Sequence, residues 1–201
     1  MNCTKPAFVC RYLNKKSKFS ILSDLIFVVI IALLIYPGTR KEVAAFFIRL
    51  VSLPPSSLDK NEQFSLNQET RHWKIYDLSL HAYSFEQLND KPVFLNVWAT
   101  WCPPCIAELP GILDIYDDFK ERVHFVLVSN ESPNTVKSFL QKNNYDQHPF
   151  YLYRRLPGQL QTESIPTTYI ITKEGKVILM KKGSARWSSG KIRKLLKRLS
   201  E

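Results

Sequence analysis

The 201-residue sequence predicts an α/β domain in which a mixed central sheet is flanked by helices. Three observations predict it. Short apolar runs alternate with stretches of helical periodicity, the pattern of strands connected through helices. Two late runs, Thr167 to Thr172 and Val177 to Lys182, are joined by Lys173-Glu174-Gly175-Lys176, a hairpin signal that adds antiparallel strands. Between them and the N-terminus, the apolar run Pro92 to Trp98 passes through Ala99-Thr100-Trp101-Cys102-Pro103-Pro104-Cys105 into the helical Ile106-Ala107-Glu108-Leu109.

The domain begins at Trp73, where Trp73 to Leu80 reads as a strand. Ser84-Phe85-Glu86-Gln87 has the form of a capping box and opens a short helix. Pro92 to Trp98 is a buried strand, and a helix from Ile106 to Lys120 is expected to bend at Pro110. His124 to Ser129 is a second buried strand. Ser132-Pro133 supplies an N-cap and a first-turn proline for a helix to about Asn143. Pro149 to Tyr153 is a short strand. After the hairpin, Trp187-Ser188-Ser189 caps a last helix with Ile192, Leu195, Leu196 and Leu199 on one face. Its basic residues occupy the other face, which either meets water or touches anionic lipid. Both faces of the sheet are expected to be covered.

Cys102 and Cys105 stand three apart at a strand-to-helix junction. Unpaired N–H groups and the helix dipole favour negative charge there. The seat lowers the pKa of the first thiol from about 8.5 toward neutrality and makes it a nucleophile. The second thiol is within reach to displace what the first captures. The pairing suits disulfide exchange.

The formal net charge of +10 is unevenly spread. Residues 1–41 carry seven Lys/Arg against one acid, residues 173–201 carry ten against two, and the middle is acidic. No recognised binding module or aromatic–basic interleaving points to nucleic acid, so none is expected as a partner. Four cysteines are too few for a disulfide-stapled scaffold, and Cys3 and Cys10 read as unremarkable thiols on a basic tail. A structural zinc site wants four ligands. Only one closely spaced cysteine pair lies in the domain, and His72, His81, His124 and His148 are scattered. Neither a metal nor another cofactor is expected.

Ahead of the domain, residues 1–18 form a basic tail with no acid, and Leu25 to Tyr36 is an unbroken apolar run of twelve. Extended back to Phe19 it reaches eighteen residues, close to the roughly 20 that cross a bilayer. Asp24 lies near its N-terminal end, where a charge costs less. Tyr36-Pro37-Gly38-Thr39-Arg40 is a poor signal-peptidase site, so residues 19–36 are expected to remain as a transmembrane anchor. Five basic residues precede it, which keeps the N-terminus in the cytoplasm and places the rest outside. Residues 37–72 then read as an amphipathic helix and linker. Val43, Phe46, Phe47, Leu50 and Val51 have helical spacing. That helix lies either on the membrane surface or on its own domain. The polar stretch from Pro54 to Arg71 reads as linker.

Trp-Cys-Pro-Pro-Cys after a buried strand, Ile165-Pro166-Thr167 before a hairpin, and an N-terminal anchor together resemble the membrane-anchored thioredoxin-like proteins of the TlpA/ResA type. The likeness covers about residues 73–201 and implies a thioredoxin-like fold. It implies that Cys102 is the exposed nucleophile, that Cys105 resolves the mixed disulfide, and that the pair cycles through a redox-active disulfide. It also makes Pro166 the family's cis-proline, facing the cysteines, with the backbone of Ile165 pairing with substrate. An ordinary proline at the start of a strand is the alternative for Pro166.

Glu108 matches a partly buried glutamate beneath the cysteines, where a desolvated carboxyl exchanges protons with a thiol. A solvent-facing helix glutamate is the alternative. Asn96 replaces the buried aspartate of ordinary thioredoxins and cannot accept a proton. Trp101, with Pro103 and Pro104, is expected to flank the thiol pair on the substrate side, and Trp98 to sit in the core.

The function expected is a thiol–disulfide oxidoreductase on the outer face of the cytoplasmic membrane. By resemblance it reduces protein disulfides, apocytochrome c being one candidate substrate, and is recharged by a membrane thiol shuttle. Two alternatives stand beside it: a redox-inert binding module with this fold, and a thiol peroxidase. The Pro-x-x-x-Thr-x-x-Cys pattern of peroxiredoxins is missing.

Overall fold

A computed structural model describes residues 18–35, 44–45, 47–48, 50–58 and 62–201. The chain divides into two compact units, Met1–Val43 and Ala44–Glu201. In the first, helix α1 spans Lys18–Ile35. Leu22 and all of Leu25 to Ile31 are exposed, so its apolar surface runs round the helix. Eighteen residues rise about 27 Å, a little under the ~30 Å of a bilayer's hydrocarbon core. Among the described residues no helix is long and apolar enough to cross a membrane. The anchor expected over 19–36 is therefore not completed within them. Tyr36, the tail over 1–17 and the thiols Cys3 and Cys10 lie outside the described residues.

The second unit is built on one eight-stranded sheet of order β1-β8-β7-β4-β5-β6-β2-β3. Its strands are β1 (Phe64–Ser65), β2 (Lys74–Tyr76), β3 (Ala82–Ser84), β4 (Val93–Val97), β5 (His124–Ser129), β6 (Phe150–Leu152), β7 (Thr167–Ile171) and β8 (Lys176–Lys182). β4, β5 and β6 are parallel, and the other pairings are antiparallel, which makes the sheet mixed. The helices are α2 (Gln68–Arg71), α3 (Pro103–Phe119), α4 (Pro133–Asn143) and α5 (Gly190–Leu199).

The crossovers β4–α3–β5 and β5–α4–β6 step the same way across the sheet, and right-handed crossovers in one direction put both helices on one face. α5 joins them there. Leu109, Ile112, Val136, Leu140, Ile192 and Leu196 meet Phe94, Phe125, Leu127 and Ile170 in one core layer. The alternate strand residues Val93, Leu95, Val97, Val126, Val128 and Tyr169 point the other way. Leu66, Trp73, Ile75, Phe85 and Leu160 cover them. Both faces are thus covered, the second by short elements rather than long helices. That is why β4 and β7 are buried at every position and, apart from Asn96, Thr167 and Thr168, are apolar.

Several expected boundaries shift. The linker expected up to Arg71 instead supplies β1, paired with β8, and α2, capped by Asn67 Oδ1 accepting the Thr70 N–H at 2.9 Å. Phe64 and Leu66 have apolar partners to bury, so this polar stretch still gains by folding. The strand expected over Trp73 to Leu80 is a hairpin instead. The Asp77 carboxylate accepts the N–H groups of Ser79 and His81 and turns the chain, with Leu80 left-handed at φ 69°. α3 begins at Pro103 rather than Ile106, because proline's missing N–H costs nothing in a first turn. In the β7–β8 turn Gly175 has φ 81°, and a side chain there would collide with the Arg71 guanidinium. Helical backbone is also present at residues 44, 45, 47, 48, 50 and 51; Val43 and Phe46 lie outside the described residues.

Candidate active site

β4 delivers the chain to the site and α3 carries it away. Cys102 is the N-cap of α3, with φ −93° and ψ 103°. Its Sγ accepts the Cys105 N–H at 3.2 Å. The two cysteines form a disulfide with their Cα atoms 5.2 Å apart. A thiolate at Sγ of Cys102 would inherit that N–H and the positive end of a seventeen-residue helix. Cys102, expected to be exposed, is instead buried with Cys105 in this oxidised state, because the disulfide and the Ile165–Pro166 loop cover its sulfur, while Trp101 beside them is 58% exposed and Pro103 and Pro104 are half-buried. Trp98 is in the core, between Phe139 and Phe150.

The loop before β7 closes over the disulfide. The Ile165–Pro166 bond is cis, and the Ile165 carbonyl oxygen lies 3.8 Å from Cys102 Sγ. Pro166 is buried and Ile165 partly exposed, so the backbone of residue 165 borders the Cys102 sulfur. The Thr167 hydroxyl donates to the Ser164 carbonyl at 2.7 Å and fixes the loop.

Glu108 follows one turn after Cys105 and is 3% exposed. Its Oε1 accepts from Asn96 Nδ2 at 2.8 Å. Its Oε2 accepts from Trp187 Nε1 at 2.8 Å and from the Ala185 N–H at 3.2 Å. Burial pushes this carboxyl up to about 7, against the pull of Trp187, Asn96, the Ala185 N–H and the Lys181 charge. A carboxyl poised there can hold or release a proton near neutrality. It also borders a cleft of about 450 Å³ with Ser52, Gly111, Asp114 and Arg186.

Asn96 reaches from the middle of β4 and donates as well to Thr168 Oγ1 of β7 at 2.8 Å; its own Oδ1 has no partner among the described residues. Trp187, expected to cap the last helix, is instead fully buried against Phe94 and serves as a donor to Glu108; Ser189 is the N-cap of α5. The indole had more to gain in the core than at a helix start. One further residue escaped sequence reading. The Glu131 carboxylate accepts the Thr100 N–H and hydroxyl, each at 2.7 Å, and the Ser129 hydroxyl at 3.1 Å. It thereby ties the loop before Cys102 to the end of β5. Its only sequence signal was an acid just past a buried strand.

Among the described residues no group of three or more His, Cys, Asp or Glu could hold a metal. His72, His81 and His124 face Glu86, Asp77 and Asp90 separately.

The sequence model of the AhpC/TSA family matches residues 59–180. The thiol-disulfide oxidoreductase ResA of Bacillus cereus (strain ZK / E33L) is 31% identical over 122 residues, 58% of this chain and 69% of that protein. Two solved structures share the fold. The exposed lipoprotein thioredoxin Etrx1 of Streptococcus pneumoniae strain TIGR4 has a TM-score of 0.53 at 24% identity, covering 63% of this chain and 98% of that one. A thiol:disulfide interchange protein of the thioredoxin family from Chlorobium tepidum TLS has a TM-score of 0.52 at 22% identity, covering 75% and 97%. The fold is thioredoxin-like, and the chain belongs to the AhpC/TSA family as a thiol–disulfide oxidoreductase of the ResA type.

Proposed function

We propose that this oxidoreductase reduces disulfides in proteins outside the cytoplasm while held to the cytoplasmic membrane by the apolar segment over 19–36. The observation that carries the chemistry is the Cys102–Cys105 disulfide on the first turn of α3, with the Ile165 carbonyl in front and buried Glu108 behind. In the reduced protein, the Cys102 thiolate attacks one sulfur of a substrate disulfide. That S–S bond breaks, a mixed disulfide forms, and the other substrate sulfur leaves as thiolate. Cys105 then gives up its proton and attacks Cys102 Sγ, which releases the second substrate thiolate and leaves the enzyme oxidised. Two electrons pass to the substrate.

Glu108 takes the Cys105 proton, since Asn96 can only donate from Nδ2 and its amide oxygen is a poor base. The cleft that Glu108 borders gives this proton a route to water. Trp101, Pro103, Pro104 and the Ile165–Pro166 backbone bind the substrate segment, with Trp101 exposed and the Ile165 carbonyl beside the sulfur. The reducing direction is supported by resemblance to relatives of this type. Apocytochrome c, whose haem-attachment cysteines must be reduced, is the substrate we favour, and a transmembrane thiol shuttle the electron donor. Support for the anchor is the all-round apolar surface of α1 and the basic residues ahead of it.

The test equilibrates the full chain in detergent with glutathione or dithiothreitol buffers and assays insulin reduction. A reductant has a potential well below about −180 mV and reduces insulin, with activity lost in Cys102→Ser. A potential near −120 mV, at the oxidising end of the range, would overturn the reducing role.

A further inference from the structure

We propose that the described residues of the stretch 44–58, together with the exposed cations of α5 and Arg186, form a face that lies on an anionic lipid surface. The segment is fastened to the domain along one side. The Arg186 N–H donates to the Leu53 carbonyl at 3.1 Å and the Leu58 N–H to the Ile178 carbonyl at 2.9 Å. The Ser52 and Ser184 hydroxyls meet at 3.2 Å, and Ala45 is buried. The other side presents Leu50, Val51 and Leu53 at 74%, 75% and 74% exposure. Three large aliphatic side chains so exposed within four residues, more so than Leu80 at 62% or Trp101 at 58%, form an apolar ridge that folding alone does not explain.

Cations flank the ridge. Arg186 borders the same cleft as Ser52. Pro55 and Ser57 border a second cavity of about 340 Å³ with Lys191, Lys194 and Arg198. Among the described residues, Asp114 and Asp118 hold Arg193, and Glu201 lies 3.9 Å from Lys197. Arg186, Lys191, Lys194 and Arg198 remain exposed beside the apolar ridge. Aliphatic side chains that enter the headgroup boundary, ringed by cations that meet anionic headgroups, are the makings of an interfacial membrane surface. Only residues 36–43 separate α1 from this segment. Nine residue steps reach at most about 30 Å. This part rests on the anchor reading above, because an anchored α1 keeps the ridge within reach of lipid.

The test uses the full chain with Cys3 and Cys10 changed to Ser and the Cys102–Cys105 disulfide kept closed. An environment-sensitive fluorophore is placed at Leu53→Cys, or at Asn89→Cys as a control. The protein is reconstituted into nanodiscs of phosphatidylcholine with or without phosphatidylglycerol, some carrying headgroup nitroxides. The expected result is nitroxide quenching at position 53 at least twofold above position 89 in phosphatidylglycerol discs. Lys194→Glu with Arg198→Glu should lower the docked-to-undocked ratio by about fivefold or more for each cation removed. Leu50→Ser should lower it as well.

Equal quenching at both positions in a chain that inserts would overturn the docking face and leave the anchor standing. A chain that fails to insert, yet is quenched at position 53 by added phosphatidylglycerol vesicles, would keep the face and lose the anchor. Quenching at position 53 that neither needs phosphatidylglycerol nor falls in the chain with Lys194→Glu and Arg198→Glu would overturn the proposal.

Discussion

The indole Nε1 of Trp187 donates to Glu108 Oε2 at 2.8 Å, joining the segment ahead of α5 to the turn of α3 that follows the disulfide. A neutral donor aimed at a buried carboxylate stabilises its charged form, and this one opposes the burial that pushes Glu108 up to about 7. Trp187→Phe keeps most of the ring contact with Phe94 but removes the donor. The Glu108 carboxyl should then titrate above 7, read from its carbon-13 resonance, and stability should fall by about 1–2 kcal/mol. A lower stability with an unmoved titration would show that the indole only fills space.

Glu108 also makes stability depend on pH. The folded carboxyl keeps its proton up to about pH 7, whereas in the unfolded chain it ionises near the ordinary 4.5. Between those values the folded state binds more protons, so its contribution is complete below about 4.5 and is lost as pH rises through 7. The loss should be on the order of 3 kcal/mol across that window. Urea unfolding of the oxidised protein at several pH values, compared with Glu108→Gln, measures it; the variant should lack this slope.

Removing Glu131 should loosen the loop that presents Cys102. Glu131→Ala leaves the Thr100 N–H and hydroxyl without their shared acceptor, at a cost of about 1–3 kcal/mol. Thermal melts should show the loss, and insulin reduction should slow because the loop between β4 and α3 is less well held. Glu131→Gln, which retains one acceptor oxygen, should fall between.

The order of attack can be trapped. Cys105→Ser leaves Cys102 able to capture a substrate disulfide but removes the group that resolves it. Mixed disulfides sensitive to dithiothreitol should accumulate on a non-reducing gel, and should be absent from Cys102→Ser. Equal trapping by both variants would mean that either sulfur attacks first.

Much of the domain was legible because its signals are local. Pro92 to Trp98 is apolar except for Asn96, as a strand covered on both faces largely must be, and Val93–Val97 of it became β4. Ser132-Pro133 and Gly175 mark a helix start and a tight turn by backbone chemistry that needs no distant partner. Phe64 and Leu66 were hidden in a polar stretch, since their value lies in neighbours more than 90 residues away. Trp187 looked like part of a cap for the same reason.

The residue order by itself determined the paired cysteines at the head of a helix, the strands around them and the apolar segment ahead of them, all products of spacing and hydropathy over short windows. Only the tertiary structure decided that Asn96, Glu108, Ala185 and Trp187 share one hydrogen-bonded cluster. It also decided that Glu131 ties down Thr100 and that Leu50, Val51 and Leu53 stay uncovered. Desolvation and hydrogen bonding act through space. A carboxyl's proton affinity therefore depends on which strands and helices the fold brings to it, and sequence spacing alone does not specify that.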